Sequence, residues 1–130
     1  MQFCRAVVCC LLAILIVGCD SGPRMYTVTG TVSYQGAPVA VGEIVFADAA
    51  ASQDSAFGKI KDGKYELKTL PGEKQVRITA SKETGKMIEG AMGAKYPELV
   101  DIIPSKYNSA TTLKRSVEPK DGQVIDFKLE

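Results

Sequence analysis

The side chains able to do covalent chemistry crowd one end of this 130-residue chain. Its four cysteines are Cys4, Cys9, Cys10 and Cys19, and it has no histidine. Without imidazole, Ser–His and Cys–His nucleophile pairs cannot be built. A zinc site, or any metal site that depends on imidazole, is not expected either, and no cofactor is implied. Glu98 and Asp101 lie close in sequence, but their spacing fits no calcium loop, so they read as surface carboxylates. Three further residues carry binding chemistry. Tyr96 and Tyr107 have rings that can stack on a ligand, and Asn108 adds a donor and an acceptor beside them. They are the candidate ligand contacts. The competing reading of Lys106-Tyr107-Asn108 is structural: the ring buries, its hydroxyl finds a partner, and Asn tolerates a turn.

Cys19 has the clearest chemistry. Arg5 precedes an apolar run of twelve residues, Ala6–Val17. A positive residue followed by such a run is the pattern of an export signal, and the run is shorter than the ~20 apolar residues that span a bilayer. The run closes on Ile16-Val17-Gly18-Cys19, which resembles a bacterial lipobox. The resemblance implies cleavage before Cys19, a diacylglyceryl group on its thiol and a further acyl chain on the freed amine. Two or more chains hold a protein stably at a membrane where one does not. Residues 1–18 are thus the expected signal peptide and 19–25 a lipidated cysteine with a short tether. Six residues from Asp20 to Met25 reach at most about 20 Å, which would keep the domain near the bilayer.

The remaining chain must supply the platform for Tyr96, Tyr107 and Asn108. Tyr26–Tyr34 alternates strictly: Tyr26, Val28, Val32 and Tyr34 on one face, Thr27, Thr29, Thr31 and Ser33 on the other. That is a half-buried strand. Gly42–Asp48 is the next, with Ile44 and Phe46 inward. Asp62-Gly63 between Ser55–Lys61 and Lys64–Leu70 is a hairpin signal, because a type I′ turn needs positive φ at both central residues. Val76, Ile78 and Ala80 alternate with Arg77, Thr79 and Ser81. Thr112–Val117 and Val124–Leu129 are the last two strands, with Ile125, Phe127 and Leu129 inward. Residues 83–110, with Gly85, Gly90 and Gly93, break the rhythm and read as a long irregular segment, in which Leu99, Val100, Ile102 and Ile103 could pack or add a short strand. About seven strands and no convincing amphipathic helix predict one all-β domain over 26–130, a single seven-stranded antiparallel β-sandwich.

Charge narrows the partners. Cleavage would remove only Arg5 among the charged residues, leaving 15 of each sign on about 110 residues. A balanced, interspersed surface argues against nucleic acid, which needs a clustered basic excess. With all four cysteines in the first nineteen residues, no disulfide can staple the domain.

Val28-Thr29-Gly30-Thr31-Val32-Ser33-Tyr34, then Gly36, Pro38 and Gly42-Glu43-Ile44-Val45-Phe46, resemble the start of carboxypeptidase-regulatory-like (transthyretin-like) domains. Lys61-Asp62-Gly63-Lys64-Tyr65, Leu70-Pro71-Gly72 and Val76-Arg77-Ile78 continue the pattern. Ile103-Pro104-Ser105-Lys106-Tyr107-Asn108 is similar to a segment of small lipoproteins of this kind, abundant in planctomycetes. The resemblance covers nearly the whole domain. It implies a prealbumin-like sandwich on a lipid anchor in the cell envelope, and it brings no activity with it. The hydroxyisourate-type hydrolases of this fold carry a His/Arg constellation and a C-terminal Tyr-Arg-Gly-Ser; this chain lacks His and ends Phe127-Lys128-Leu129-Glu130. The Lys–Asn cross-link of related pilin repeats is not expected, since Tyr26–Gln35 has no Lys and the last strand no Asn. The expectation is therefore a non-catalytic, membrane-anchored scaffold or binding module facing the periplasm or exterior, whose partner is an envelope protein or a glycan. The alternative is a carbohydrate-binding module.

Overall fold

The computed structural model describes residues 22–50 and 55–130. The export segment, Cys19 and most of the loop before Ser55 lie outside the described residues. The described chain is all-β. Its ten strand segments are β1 (Tyr26–Tyr34), β2 (Ala37–Pro38), β3 (Val41–Asp48), β4 (Ser55–Lys61), β5 (Lys64–Thr69), β6 (Gly72–Glu89), β7 (Lys95–Asp101), β8 (Lys114–Val117), β9 (Gln123–Val124) and β10 (Phe127–Leu129).

They make one curled sheet in the order β10-β1-β5-β4-β3-β6-β7. Every pairing along it is antiparallel except that of β1 with β10. β8 and β9 follow each other in the chain yet lie on opposite edges, β8 against β6 and β9 against β1. Their connection therefore bridges the two sides of the curl. The Gln123 side chain fixes it: its Oε1 accepts from the Glu118 N–H at 2.8 Å, and its Nε2 donates to the Lys120 carbonyl at 2.7 Å.

Alternation placed the core as expected. Val28, Val32, Ile44, Phe46, Tyr65, Leu67, Val76, Ile78, Phe127 and Leu129 are all buried. Phe46, Tyr65 and Phe127 meet with ring centroids 6.1–6.2 Å apart, within the range where aromatic rings attract. The Asp62-Gly63 turn has φ of 51° and 75°, as its hairpin requires, and Gln35-Gly36 repeats the device at 50° and 80° between β1 and β2.

Two expectations need correction. Val124–Leu129 is not one strand: it breaks at Ile125 and Asp126, and Ile125 is only partly buried. The break is chemical. Asp126 Oδ1 accepts both the Thr31 N–H at 2.8 Å and the Thr31 hydroxyl at 2.9 Å, and the Ile125 carbonyl accepts the Tyr65 hydroxyl at 2.7 Å. These bonds replace the ladder there. The second correction concerns 83–110. β6 runs on to Glu89 and returns as β7 through a short turn with a 3₁₀ segment at Ala91–Gly93, and the chain is then irregular over 102–113, with a 3₁₀ turn at Ser105–Tyr107. The hairpin hid from the pattern because residues 82–89 are all exposed. A ribbon with two wet faces has no apolar period to read. Gly85, at φ 83°, sits at the register shift between Glu83 and Met87, and Gly93, at φ 77°, helps turn the chain.

β1, β4 and β6 point the same way, because an antiparallel strand lies between each and the next. The start of β1 and the start of β6 thus share one pole. The tip of the β6–β7 ribbon is at the other.

Candidate functional site

The structure separates the three candidate contacts. Tyr96 lies on the ribbon, 54% exposed, with its ring edge over Gly90, where an added Cβ would come within 2.6 Å of it. Tyr107 is half-buried and locks the C-terminus: its hydroxyl donates to the Glu130 carbonyl and accepts from the Glu130 N–H, both at 3.0 Å. Lys106 Nζ stands 4.8 Å from the Tyr107 ring centroid. Asn108 Nδ2 donates to the carbonyls of Ile103 at 3.2 Å and Pro104 at 3.3 Å. Tyr107 and Asn108 thus direct their polar atoms to backbone partners within the fold, while Tyr96 stands apart on the ribbon. Glu98 and Asp101 fall on opposite faces of the ribbon. Thr84 Oγ1 donates to Glu98 at 2.6 Å, and Ser81 Oγ to Asp101 at 3.0 Å.

What the sequence did not reveal is a groove at the root of the ribbon. One wall is the chain from Tyr34 to Val41, carrying Pro38 and Val39; the other is Lys82, Leu99 and Ile102. It encloses about 570 Å³, a volume typical of ligand clefts. Its walls are mainly apolar, and Val41 and Leu99 are 67% and 60% exposed. The ribbon continues that character outward through Met87, Ile88, Met92, Tyr96 and Val100. A lone two-stranded ribbon is marginal in water, and here each face mixes apolar side chains with charges. Ser81 also lines the groove, with its hydroxyl turned to the Asp101 carboxylate. The chemistry of the groove is that of apolar contact with a charged rim, from Lys82 and Glu83.

A second, shallower depression of about 390 Å³ lies on the outer face of β3, β4 and β6. Cross-strand register explains it: Phe57, Val45 and Arg77 form one row, and Lys59, Glu43 and Thr79 the next. Phe57 is 66% exposed on this face, with Arg77, Glu43, Asp101 and Asn108 around it. Nothing in the linear sequence indicates that Phe57 would be exposed or that this row would gather these polar groups.

At the opposite pole Lys74 is wholly buried, and its Nζ reaches Asp48 Oδ2 at 3.3 Å. The two residues are cross-strand partners on β6 and β3. A cavity of about 120 Å³ beside them is lined by Met25, Ser55, Thr69 and Leu70. Among the described residues, no three His, Cys, Asp or Glu side chains gather as metal ligands.

Fold and site thus define an all-β protein with an apolar groove at the root of an exposed ribbon. No family model matches the sequence, and no curated protein is similar to it. Among solved structures, a 9R-lipoxygenase from Cyanothece aligns at 13% identity and a TM-score of 0.37, over 81% of this chain and 16% of the lipoxygenase. A likeness that weak says nothing of fold or activity.

Proposed function

We propose that this protein is a non-catalytic, lipid-anchored binding module of the cell envelope, held through Cys19 and presenting its ribbon-root groove to an envelope partner. The carrying observation is the placement of the apolar groove and ribbon at the pole opposite the N-terminal strand start. A tether leaving from Met25 would put one pole against the membrane and direct the other outward. The lipobox-like Ile16-Val17-Gly18-Cys19 supports the anchor. The finer fold reading is a prealbumin-like, seven-stranded sandwich of the carboxypeptidase-regulatory-like kind. Pairing supports two layers: β4 and β5 share only Ile60↔Tyr65 and Lys61↔Lys64, whereas β1–β5 and β3–β4 are paired along most of their lengths. β4 and β5 are thus bridged only next to their shared turn.

Carbohydrate binding is the second reading. Exposed Phe57, with Arg77 and Glu43 around it, favours it: an aromatic face can stack on a sugar ring while polar groups bond its hydroxyls. Photo-crosslinking in intact cells separates the two, with the reactive residue placed at position 41, 99 or 57. Shared adducts from 41 and 99 are expected for the groove. Adducts from 57 alone transfer the function to the outer face, and none from any position overturns the binding module.

A further inference from the structure

We propose that Asn108 is a self-modification site, at which the Ser109 backbone nitrogen closes on the Asn108 side-chain amide to give a succinimide. Asn108 has φ −132° and ψ −92°. That ψ turns the next peptide nitrogen back toward its own side chain, and the Ser109 N–H lies 2.6 Å from Asn108 Oδ1. In a flexible chain this approach is one conformation among many. Here both ends are held. Asn108 Nδ2 is fixed by the carbonyls of Ile103 and Pro104. The Asn108 N–H donates to the Ser105 carbonyl at 3.1 Å, and its carbonyl accepts from the Thr111 N–H at 3.2 Å. Holding two reacting groups together in advance removes the entropy of bringing them together, which is a large part of the barrier to an intramolecular reaction. Ser109 is exposed, so water reaches the site and its small side chain does not block closure.

The chemistry needs only water. The Ser109 nitrogen gives its proton to water or hydroxide, and its electron pair forms a bond to Asn108 Cγ. Charge collects on Oδ1. The Cγ–Nδ2 bond then breaks, and the nitrogen leaves as ammonia after taking a proton from water. Water adds to either carbonyl of the five-membered ring and opens it, leaving an aspartate or an isoaspartate at position 108. The net change is an amide and water giving a carboxylate and ammonium. The product loses the Nδ2 donors to Ile103 and Pro104 and sets a negative charge against those carbonyls. It also adds a carboxylate to the outer-face depression that already holds Glu43 and Asp101. The loop 102–113 would be loosened as the protein ages.

Asn108 is the sole asparagine of the chain, so the readout is direct. The purified full chain is incubated at mildly alkaline pH, folded or in denaturant. The tryptic peptide Tyr107–Lys114 is then followed by mass spectrometry and by enzymatic isoaspartate detection. The expected result is a gain of one mass unit several-fold faster in the folded protein, passing through a species lacking ammonia. Equal or slower conversion in the folded protein would overturn the proposal. So would a mass gain in that peptide that persists in Asn108→Gln.

Discussion

At the scale of single residues, Gly30 of β1 and Tyr65 of β5 seat the C-terminal segment against the sheet. A Cβ on Gly30 would fall 1.9 Å from the Ile125 carbonyl oxygen and 2.9 Å from Tyr65 Cε1. Only glycine leaves room for the Tyr65 hydroxyl to reach that carbonyl. Gly30→Ala should therefore cost about 3 kcal/mol or more, since the clash is with backbone that cannot rotate away; a chemical denaturation midpoint close to wild type would refute this. Burial, and then the Asp126 carboxylate, hold the Tyr65 phenol well above the ordinary tyrosine range, against a smaller pull from Arg115. Folded Tyr65 thus keeps its proton more tightly than the unfolded chain does. Its contribution to stability is complete below the unfolded value of about 10 and is lost as pH climbs toward the raised folded value. Tyr65→Phe should lower neutral-pH stability by about 1–2 kcal/mol, because the Ile125 carbonyl loses its donor. It should also flatten the alkaline decline; parallel slopes in denaturant midpoints above about pH 9 would assign that decline to other groups. Lys74 makes the complementary case. Asp48→Ala should destabilise by about 3 kcal/mol by leaving a buried ammonium without its carboxylate, while Lys74→Met should be nearly neutral. Thermal melts of both variants decide it, and equal losses would contradict the asymmetry.

At the scale of elements, legibility in the sequence followed burial. β1, β3, β5 and the inner half of β6 each bury one face, so their alternation is plain and their inward residues fell where expected. The Asp62-Gly63 turn was equally legible, because its backbone demands positive φ. The outer half of β6 and β7 bury neither face, and a period-two pattern cannot be written where there is no core to write it against. The groove was illegible for a different reason. Its walls, around Val41 and Leu99, are far apart in sequence and come together only through the β3–β6 and β6–β7 registers. The same independence from the core makes a prediction. Excising residues 84–98 and joining Glu83 to Leu99 through Asn-Gly should change stability by no more than about 1 kcal/mol, as for surface changes in general. A cooperative melt shifted by many degrees would mean that the ribbon is integral to the fold.

At the scale of the molecule, the two poles carry different surfaces, a buried Lys74 paired with Asp48 at one and the apolar groove at the other. If the N-terminal pole is the anchored one, Cys19→Ala should move the protein from the membrane fraction to the soluble envelope fraction and abolish incorporation of labelled fatty acid. Continued membrane association with no lipid on the wild-type protein would end the anchor reading. The directions of β1, β4 and β6 carry a mechanical consequence. A load applied at the ribbon, with the other end fixed, pulls along the strands. Neighbouring strands can then yield only by sliding, and the rungs between Tyr26↔Thr69 and Thr31↔Lys64 must fail together. A pull across the sheet would peel the same rungs one at a time at far lower force. Built this way, the domain resists tension along its own axis better than tension across it.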